Sequence, residues 1–461
     1  MTAIALTAAW VAAAMHGSLV TGEAARAFAG VSIDSRTLKA GELFIAIKGE
    51  RFDGTRFVDQ AVAAGAAGVV VSRDVTVTAP AVITVDDTTI ALQSLARTIR
   101  RESEAKVVAI TGSAGKTTTK EVTSEFLATR YRVVRNRGNL NNHIGLPLSL
   151  IELTQRPEIA VVELGMNHAG EIATLVGIAE PDVRVWTNVG EAHLGFFASV
   201  DAIADAKAEI FDGASASTVL VANADDDRIV ARLPRFGGRT VTFGLDCDAD
   251  VRATAVADRG VDGTRAHVVT PRGAIDIETP LIGRSNLANV LAATAVGLEF
   301  DVPLDVIADR ARSLRAAAHR GDVVRLASGI TIIDDSYNAN PTATKRALDV
   351  LASVSGARRI AILGEMLELG AHAVTLHEDV GRAAALAHVD RLVAVGGPPA
   401  SALANAAIGA GLPGVAVQYF ATSDEAADMV TADLRSGDVV LIKGSRGVKT
   451  DRVVERLKER G

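Results

Sequence analysis

The chain has 461 residues, 48% of them hydrophobic and 22% charged, with a formal net charge of −7. That length exceeds one ordinary domain and allows a large core. The acidic balance, with no basic block, argues against general nucleic-acid binding. A single cysteine, Cys247, excludes a disulfide framework and a cysteine-rich zinc site and fits a reducing cytoplasm.

The apolar start, Met1 to Met15, lacks a basic leader and is too short to span a bilayer. It is expected to form an amphipathic or buried helix, and no other segment is long and apolar enough for a membrane span. A first section runs to about Val85. Val31–Arg36, Leu43–Ile47 and Gly68–Ser72 read as short strands and Val58–Ala66 as a helix. It holds no Gly-x-Gly-x-x-Gly, so a dinucleotide-type domain is not expected. Thr88–Arg101 reads as a helical connector.

Next comes Val107-Val-Ala-Ile-Thr-Gly-Ser-Ala-Gly-Lys-Thr-Thr-Thr119, a strand running into a glycine loop that opens a helix. Such a loop lets backbone N–H groups converge on phosphate oxygens at the positive end of the helix. Gly112, Ser113, Ala114, Gly115, Lys116, Thr117 and Thr118 are therefore the expected ATP cradle. Lys116 would reach the β/γ-phosphates and the Thr117 hydroxyl would take a place on Mg²⁺. The spacing, Gly-x-x-Gly-Lys-Thr, is two residues shorter than the usual form.

After the loop, Arg132–Val134, Ile159–Leu164, Val183–Thr187 and Val219–Ala222 read as strands alternating with helices, as in a parallel sheet. Val251 to Pro280 differs, with three alternating runs that suggest a small antiparallel insertion, and a helix follows at Asn286. From about Ala316 a second doubly wound unit is expected, on Ile330–Asp334, Ile360–Leu363, Leu392–Val395, Val415–Tyr419 and Val439–Ile442.

Polar residues at strand ends are the candidates for chemistry, because ligands bind there in open α/β sheets. Glu163 interrupts an apolar strand, where a carboxylate needs either an ionic partner or a metal. His193 stands just past another strand, and its spacing alone assigns it no role. Lys207, in Ala206-Lys-Ala-Glu-Ile-Phe211, reads as a solvated helix residue. Asp335 ends a strand where carboxylates hold ribose hydroxyls, and Arg320 could reach phosphates.

Together these pieces resemble the Mur ligase family, whose phosphate loop has the same short form. The resemblance also rests on Glu163-Leu-Gly-Met, Asn188-Val-Gly-Glu-Ala-His193, Ala206–Phe211, Gly283-Arg-Ser-Asn-Leu-Ala-Asn289, Gly364-Glu-Met366, Leu441-Ile-Lys-Gly-Ser-Arg446 and Asp335-Ser-Tyr-Asn-Ala-Asn-Pro341. It covers essentially the whole chain. It implies three domains: a small α/β N-terminal domain at residues 1–85, a central P-loop parallel-sheet ATPase domain at 86–315 and a C-terminal Rossmann-like domain at 316–461. Gly138–Pro147 and the Asp335–Pro341 run are similar to the members that join D-alanyl-D-alanine to UDP-N-acetylmuramoyl-tripeptide with ATP, through an acyl phosphate.

By the same resemblance Lys116, Lys207, His193 and Glu163 are catalytic. Thr117, Glu163, His193 and Lys207 support two Mg²⁺ sites, with Lys207 carbamoylated. Asn286, Asn289 and Asp335 hold adenine and ribose, Arg320 holds phosphates, and Ser35, Arg36 and Asn142 serve the UDP-sugar substrate. A cytoplasmic monomer is implied, without nucleic acid or membrane. The rival readings are another amide ligase of the family, of folylpolyglutamate or cyanophycin type, and a nucleotide-switched scaffold.

Overall fold

The computed structural model describes residues 3–49, 53–354 and 358–460. The chain divides into two compact units. One joins Met1–Thr111, Arg130–Arg184 and Glu209–Val219; the other joins Gly112–Thr129, Val185–Ala208 and Leu220–Gly461.

The first unit begins with the strand Leu6–Thr7 and the helix Ala8–Ala14, where the Thr7 side chain accepts the Trp10 N–H as an N-cap. A five-stranded sheet follows, in the order Ser18–Thr21, Val82–Val85, Gly68–Ser72, Leu43–Ile45, Val31–Ser32. Its first pair is antiparallel and the rest are parallel. The strand expected over Val31–Arg36 stops at Ser32, because the Asp34 carbonyl accepts N–H groups from Thr37 and Leu38 and turns the chain. The connector helix, Thr88–Ser103, starts where the Asp87 carboxylate accepts the N–H groups of Thr89 and Ile90. Beyond it, Lys106–Thr111, Ile159–Glu163 and Val133–Arg135 pair in parallel with Ile159–Glu163 in the middle. All five residues of that middle strand are buried, as a parallel strand covered on both faces requires.

In the second unit the helix Lys116–Leu127 packs against Gly283–Glu299. The expected antiparallel insertion is Val251–Asp258, Thr264–Thr270 and Gly273–Thr279. Arg239–Gly244 lies parallel to the first of these, a strand the sequence reading did not include. The second doubly wound unit is a six-stranded sheet in the order Asp322–Arg325, Thr331–Asp335, Val439–Lys443, Arg359–Gly364, Arg391–Val395, Val417–Phe420. Only the first pair is antiparallel.

Successive strand residues of this sheet enter two different cores. Ile333, Leu363, Leu392 and Leu441 pack with the helices Pro341–Ser353, Ala373–Leu386 and Pro398–Gly409. Ile332, Ile362, Val393 and Ile442 pack with Ser423–Thr431 and Asp451–Arg460. Strand periodicity of two thus produces helices on both faces and a Rossmann-like layer order. No helix among the described residues is long and apolar enough to cross a membrane.

Gly381, inside Ala373–Leu386, faces the backbone of Pro398–Gly409 so closely that a Cβ would strike the Leu403 carbonyl. Gly177, inside Glu171–Ala179, has nothing within 4 Å of where a Cβ would stand. Gly381→Ala is therefore expected to destabilise by about 1–3 kcal/mol. Gly177→Ala should stabilise by up to about 1 kcal/mol, by helix propensity. Equilibrium urea unfolding of both variants checks the opposite signs.

Candidate active site

The glycine loop is shaped by backbone positions that admit no side chain. Gly112 has φ 152° and Gly115 φ 80°. A Cβ on Gly112 would collide with the Thr187 hydroxyl, and one on Gly115 with the Asn289 carboxamide. Hydrogen bonds fix the loop from the other side. Ala114 N donates to Asn188 Oδ1 at 2.9 Å, and the Ala114 carbonyl accepts from Thr187 Oγ1 at 2.7 Å and Asn188 Nδ2 at 3.0 Å. Ser113 Oγ accepts the Gly190 N–H at 2.9 Å. Ala114 to Thr118 stay partly exposed between buried neighbours, so the start of the helix, the end that favours anions, faces outward.

Lys116 Nζ donates to the Gly112 carbonyl at 2.8 Å, folding back over its own loop. Asn289 Oδ1 accepts from the Thr119 hydroxyl at 3.1 Å, and its Nδ2 donates to Asn286 Oδ1 at 3.3 Å. The two asparagines are one helical turn apart on Gly283–Glu299, and the second ties that helix to the loop helix.

Lys207 overturns its reading as a solvated helix residue: it is 2% exposed, near the end of Val200–Ala208. Burial, and secondly the charge of Lys116, push its amine well below the usual lysine range. Among the described residues no carboxylate offsets either effect. An uncharged buried amine near a phosphate loop can act as a nucleophile.

His193 has φ 63°, and its Nδ1 lies 2.6 Å from Glu368 Oε2. An ionised carboxylate only accepts, so Nδ1 carries a proton, and in the neutral ring Nε2 then keeps the lone pair. The bond in turn holds the Glu368 carboxyl below its ordinary value. Glu191 accepts from the Thr342 hydroxyl. Asp335 accepts from Lys443 Nζ at 2.6 Å through Oδ2, and Lys443 is 4% exposed. The Arg320 guanidinium stacks 4.1 Å from the Tyr337 ring centre, and that of Arg446 lies 5.6 Å from the same ring. Glu368, Lys443, Tyr337, Arg446, Thr187 and Asn188 were not among the sequence candidates. For Asn188, Tyr337, Lys443 and Arg446 the signal was present in the motifs at 188–193, 335–341 and 441–446, which supplied the resemblance but assigned them no role; Thr187 and Glu368 lie outside those motifs.

The remaining candidates lie in the first unit. Glu163 is 2% exposed; its Oε1 accepts from Asn141 Nδ2 at 2.6 Å, and its backbone N–H donates to Asn136 Oδ1 at 3.0 Å. Ser35 is buried and donates to Gln60 Oε1 at 3.1 Å. Arg36 forks onto Asp34 at 2.9 and 2.7 Å. Asn142 caps the helix Gly145–Ile151, accepting from Gly145 N at 2.8 Å.

No three His, Cys, Asp or Glu side chains among the described residues cluster as a self-sufficient metal site. Mg²⁺ does not need one, since it takes one or two protein oxygens with phosphates and waters. The Thr117 hydroxyl in the second unit and the Glu163 carboxylate in the first are each oxygen donors of that kind, while His193 offers a nitrogen whose orientation the Glu368 carboxylate fixes.

Three family profiles match the chain: "Mur ligase family, catalytic domain" over residues 27–131, "Mur ligase middle domain" over 110–297 and "Mur ligase, glutamate ligase domain" over 319–446. The chain belongs to the Mur ligase family, an α/β fold with parallel-sheet domains. The UDP-N-acetylmuramoyl-tripeptide--D-alanyl-D-alanine ligase of Escherichia coli (strain K12) is 38% identical over 437 residues, which is 94% of each chain. MurF from Acinetobacter baumannii is 32% identical with a TM-score of 0.90, covering 100% of both chains. MurF ligase from Thermotoga maritima, solved in complex with ADP, is 30% identical with a TM-score of 0.83, covering 93% of this chain and 97% of that one.

His377 lies behind the loop that carries Glu368, fully buried. Its Nε2 accepts the Met366 N–H at 2.9 Å, and its Nδ1 lies 2.7 Å from the Ala373 carbonyl, which fixes the neutral tautomer. Burial holds its pKa below the ordinary value. A depressed histidine contributes stability above its unfolded pKa of about 6.5 and loses it as pH falls below that toward the folded value. Wild-type stability should therefore decline with acid below about pH 6.5. His377→Gln, whose amide can make both bonds without titrating, should flatten that slope in urea unfolding measured across pH.

Proposed function

We propose that this chain is an ATP-dependent amide ligase. It joins D-alanyl-D-alanine to UDP-N-acetylmuramoyl-tripeptide through an acyl phosphate, in the making of peptidoglycan precursors. Similarity to the Escherichia coli ligase over 94% of both chains supports the substrates. The observation that carries the chemistry is Lys207: an amine buried near Lys116, with no carboxylate offsetting it among the described residues, suits carboxylate activation better than a nucleotide switch.

The tripeptide carboxylate attacks the γ-phosphorus, ADP departs, and the acyl phosphate forms. The free amine of D-alanyl-D-alanine then attacks the acyl carbon, and the tetrahedral intermediate expels phosphate. The first step brings like charges together, at about 4 kcal/mol per pair at 4 Å and an effective dielectric of 20. Lys116 and Arg320 would offset that repulsion on the phosphates, while the loop N–H groups orient them for in-line attack. Asn286, Asn289 and the second oxygen of Asp335 would hold adenine and ribose.

Two Mg²⁺ ions, when bound, add charge neutralisation on the phosphates and the carboxylate. Thr117, Glu163, His193 and a carbamoylated Lys207 would hold them. Burial, which pushes the Lys207 amine well below the usual lysine range, favours the neutral form, the one that reacts with CO₂. Ser35 and Arg36 are assigned to the UDP end of the substrate, and Asn142 to substrate binding. The three sections 1–85, 86–315 and 316–461 are taken as substrate, ATP and C-terminal domains of a cytoplasmic monomer.

Phosphate release from ATP with UDP-tripeptide should require D-alanyl-D-alanine; release that ignores the dipeptide, or none at all, sinks the reading. Lys207→Arg stays cationic and cannot form a carbamate. It should lower kcat by on the order of 10²-fold or more, as losing one electrostatic stabiliser does. Carbon-13 NMR after labelled bicarbonate should show a carbamate carbon in the wild type and none in the variant.

A further inference from the structure

Glu368 is placed with unusual care for a half-exposed side chain. It follows the strand Arg359–Gly364, in a loop pinned on both sides of it. Met366 N donates to His377 Nε2 at 2.9 Å and Leu367 N to Ser445 Oγ at 2.9 Å, and His372 N donates to the Leu369 carbonyl at 3.1 Å. Glu368 itself takes φ 65°, as His193 takes 63°, a conformation uncommon outside glycine and concentrated at functional sites.

The contact is double. Besides the 2.6 Å bond to His193, the Glu368 carbonyl accepts the Gly195 N–H at 2.8 Å. The two backbones touch so closely that a Cβ on Gly195 would sit 2.8 Å from Gly370 N, and one on Gly370 2.9 Å from Gly195 Cα. Two glycines thus let a loop of the C-terminal sheet lie directly on the segment that carries His193.

We propose that Glu368 is the positioning residue of His193: it fixes the ring with the proton on Nδ1, so that Nε2 is presented to a divalent cation only while the 364–370 loop is docked. The inference rests on the ligase reading, in which His193 is a metal ligand. It adds that metal affinity at this histidine is set by a residue more than 170 positions away in sequence. Partners that orient a ligating histidine through its other nitrogen commonly change metal affinity about 10–100-fold when removed.

The test uses the full chain with a non-hydrolysable ATP analogue and Mn²⁺, titrated by electron paramagnetic resonance. His193→Ala defines the histidine-dependent ion. Glu368→Ala should weaken that ion by about 10-fold or more. Glu368→Gln, whose amide oxygen still accepts the Nδ1–H, should recover most of the affinity. Gly370→Ala, which blocks the approach and leaves the carboxylate intact, should resemble Glu368→Ala. Affinity for the analogue in EDTA and the melting temperature should hold in Glu368→Ala, which separates positioning from general damage.

Nitrogen-15 NMR of the histidines should show the Nδ1–H form of His193 in wild type and a mixture in Glu368→Ala. Unchanged Mn²⁺ affinity in Glu368→Ala, an Nε2–H His193 in wild type, or no ion that His193→Ala removes would each overturn the proposal. Failure of the ligase reading shows separately, as wild-type phosphate release that does not depend on the dipeptide.

Discussion

A buried amine with no acid offsetting it among the described residues is unstable chemistry, and Lys207 makes the surrounding structure answer for it. Removing a charged ammonium from water costs several kcal/mol even after the protein relaxes. A second cation nearby adds to the cost, and both push the amine toward its neutral form. Left neutral, it is a nucleophile; converted to a carbamate, it becomes an anion that Lys116 attracts. The glycine loop has the complementary problem, since it must gather N–H groups and a lysine without a side chain intruding at Gly112 or Gly115. One half of the site is short of negative charge and the other is built to receive it, which fits a reaction between two anions better than storage of a nucleotide.

How much of this was legible in the sequence follows from what each feature depends on. The loop, its strand and the alternating elements were readable because they are local: glycine spacing, apolar runs and turn residues state them directly. The burial of Lys207 was not readable. It stands among alanines on a short helix, where nothing nearby distinguishes a solvated position from a covered one, and only packing from elsewhere in the chain decides. Glu368 escaped for the same reason, being defined by a bond to a histidine far away in sequence. Among the strands missed, Asp322–Arg325 is short and nowhere fully buried, so it carries little alternation, whereas Arg239–Gly244 does alternate, with Val241 and Phe243 buried, and was legible but overlooked. Asp34 shows the opposite error. An extended-looking run was read through it, while its carbonyl was available to turn the chain.

The residues assigned to substrate binding make a different point, because the fold already occupies each of them. Ser35 is bonded to Gln60, and Asn142 has its carboxamide oxygen on a helix start. Arg36 is the informative case. Its hydrogen bonds to Asp34 pull that carboxyl down to about 2, so the pair persists across the neutral range. The fork uses two of the five guanidinium donors. The remaining three stay on an exposed side chain held in one orientation by its partner. A diphosphate can therefore be met by Arg36 without breaking the pair, and with less conformational entropy lost than a free arginine would surrender. Under the proposed assignment of Arg36 to the UDP end of the substrate, Asp34 would orient the arginine that meets the anion, and the turn that ended the predicted strand is what sets the two side by side.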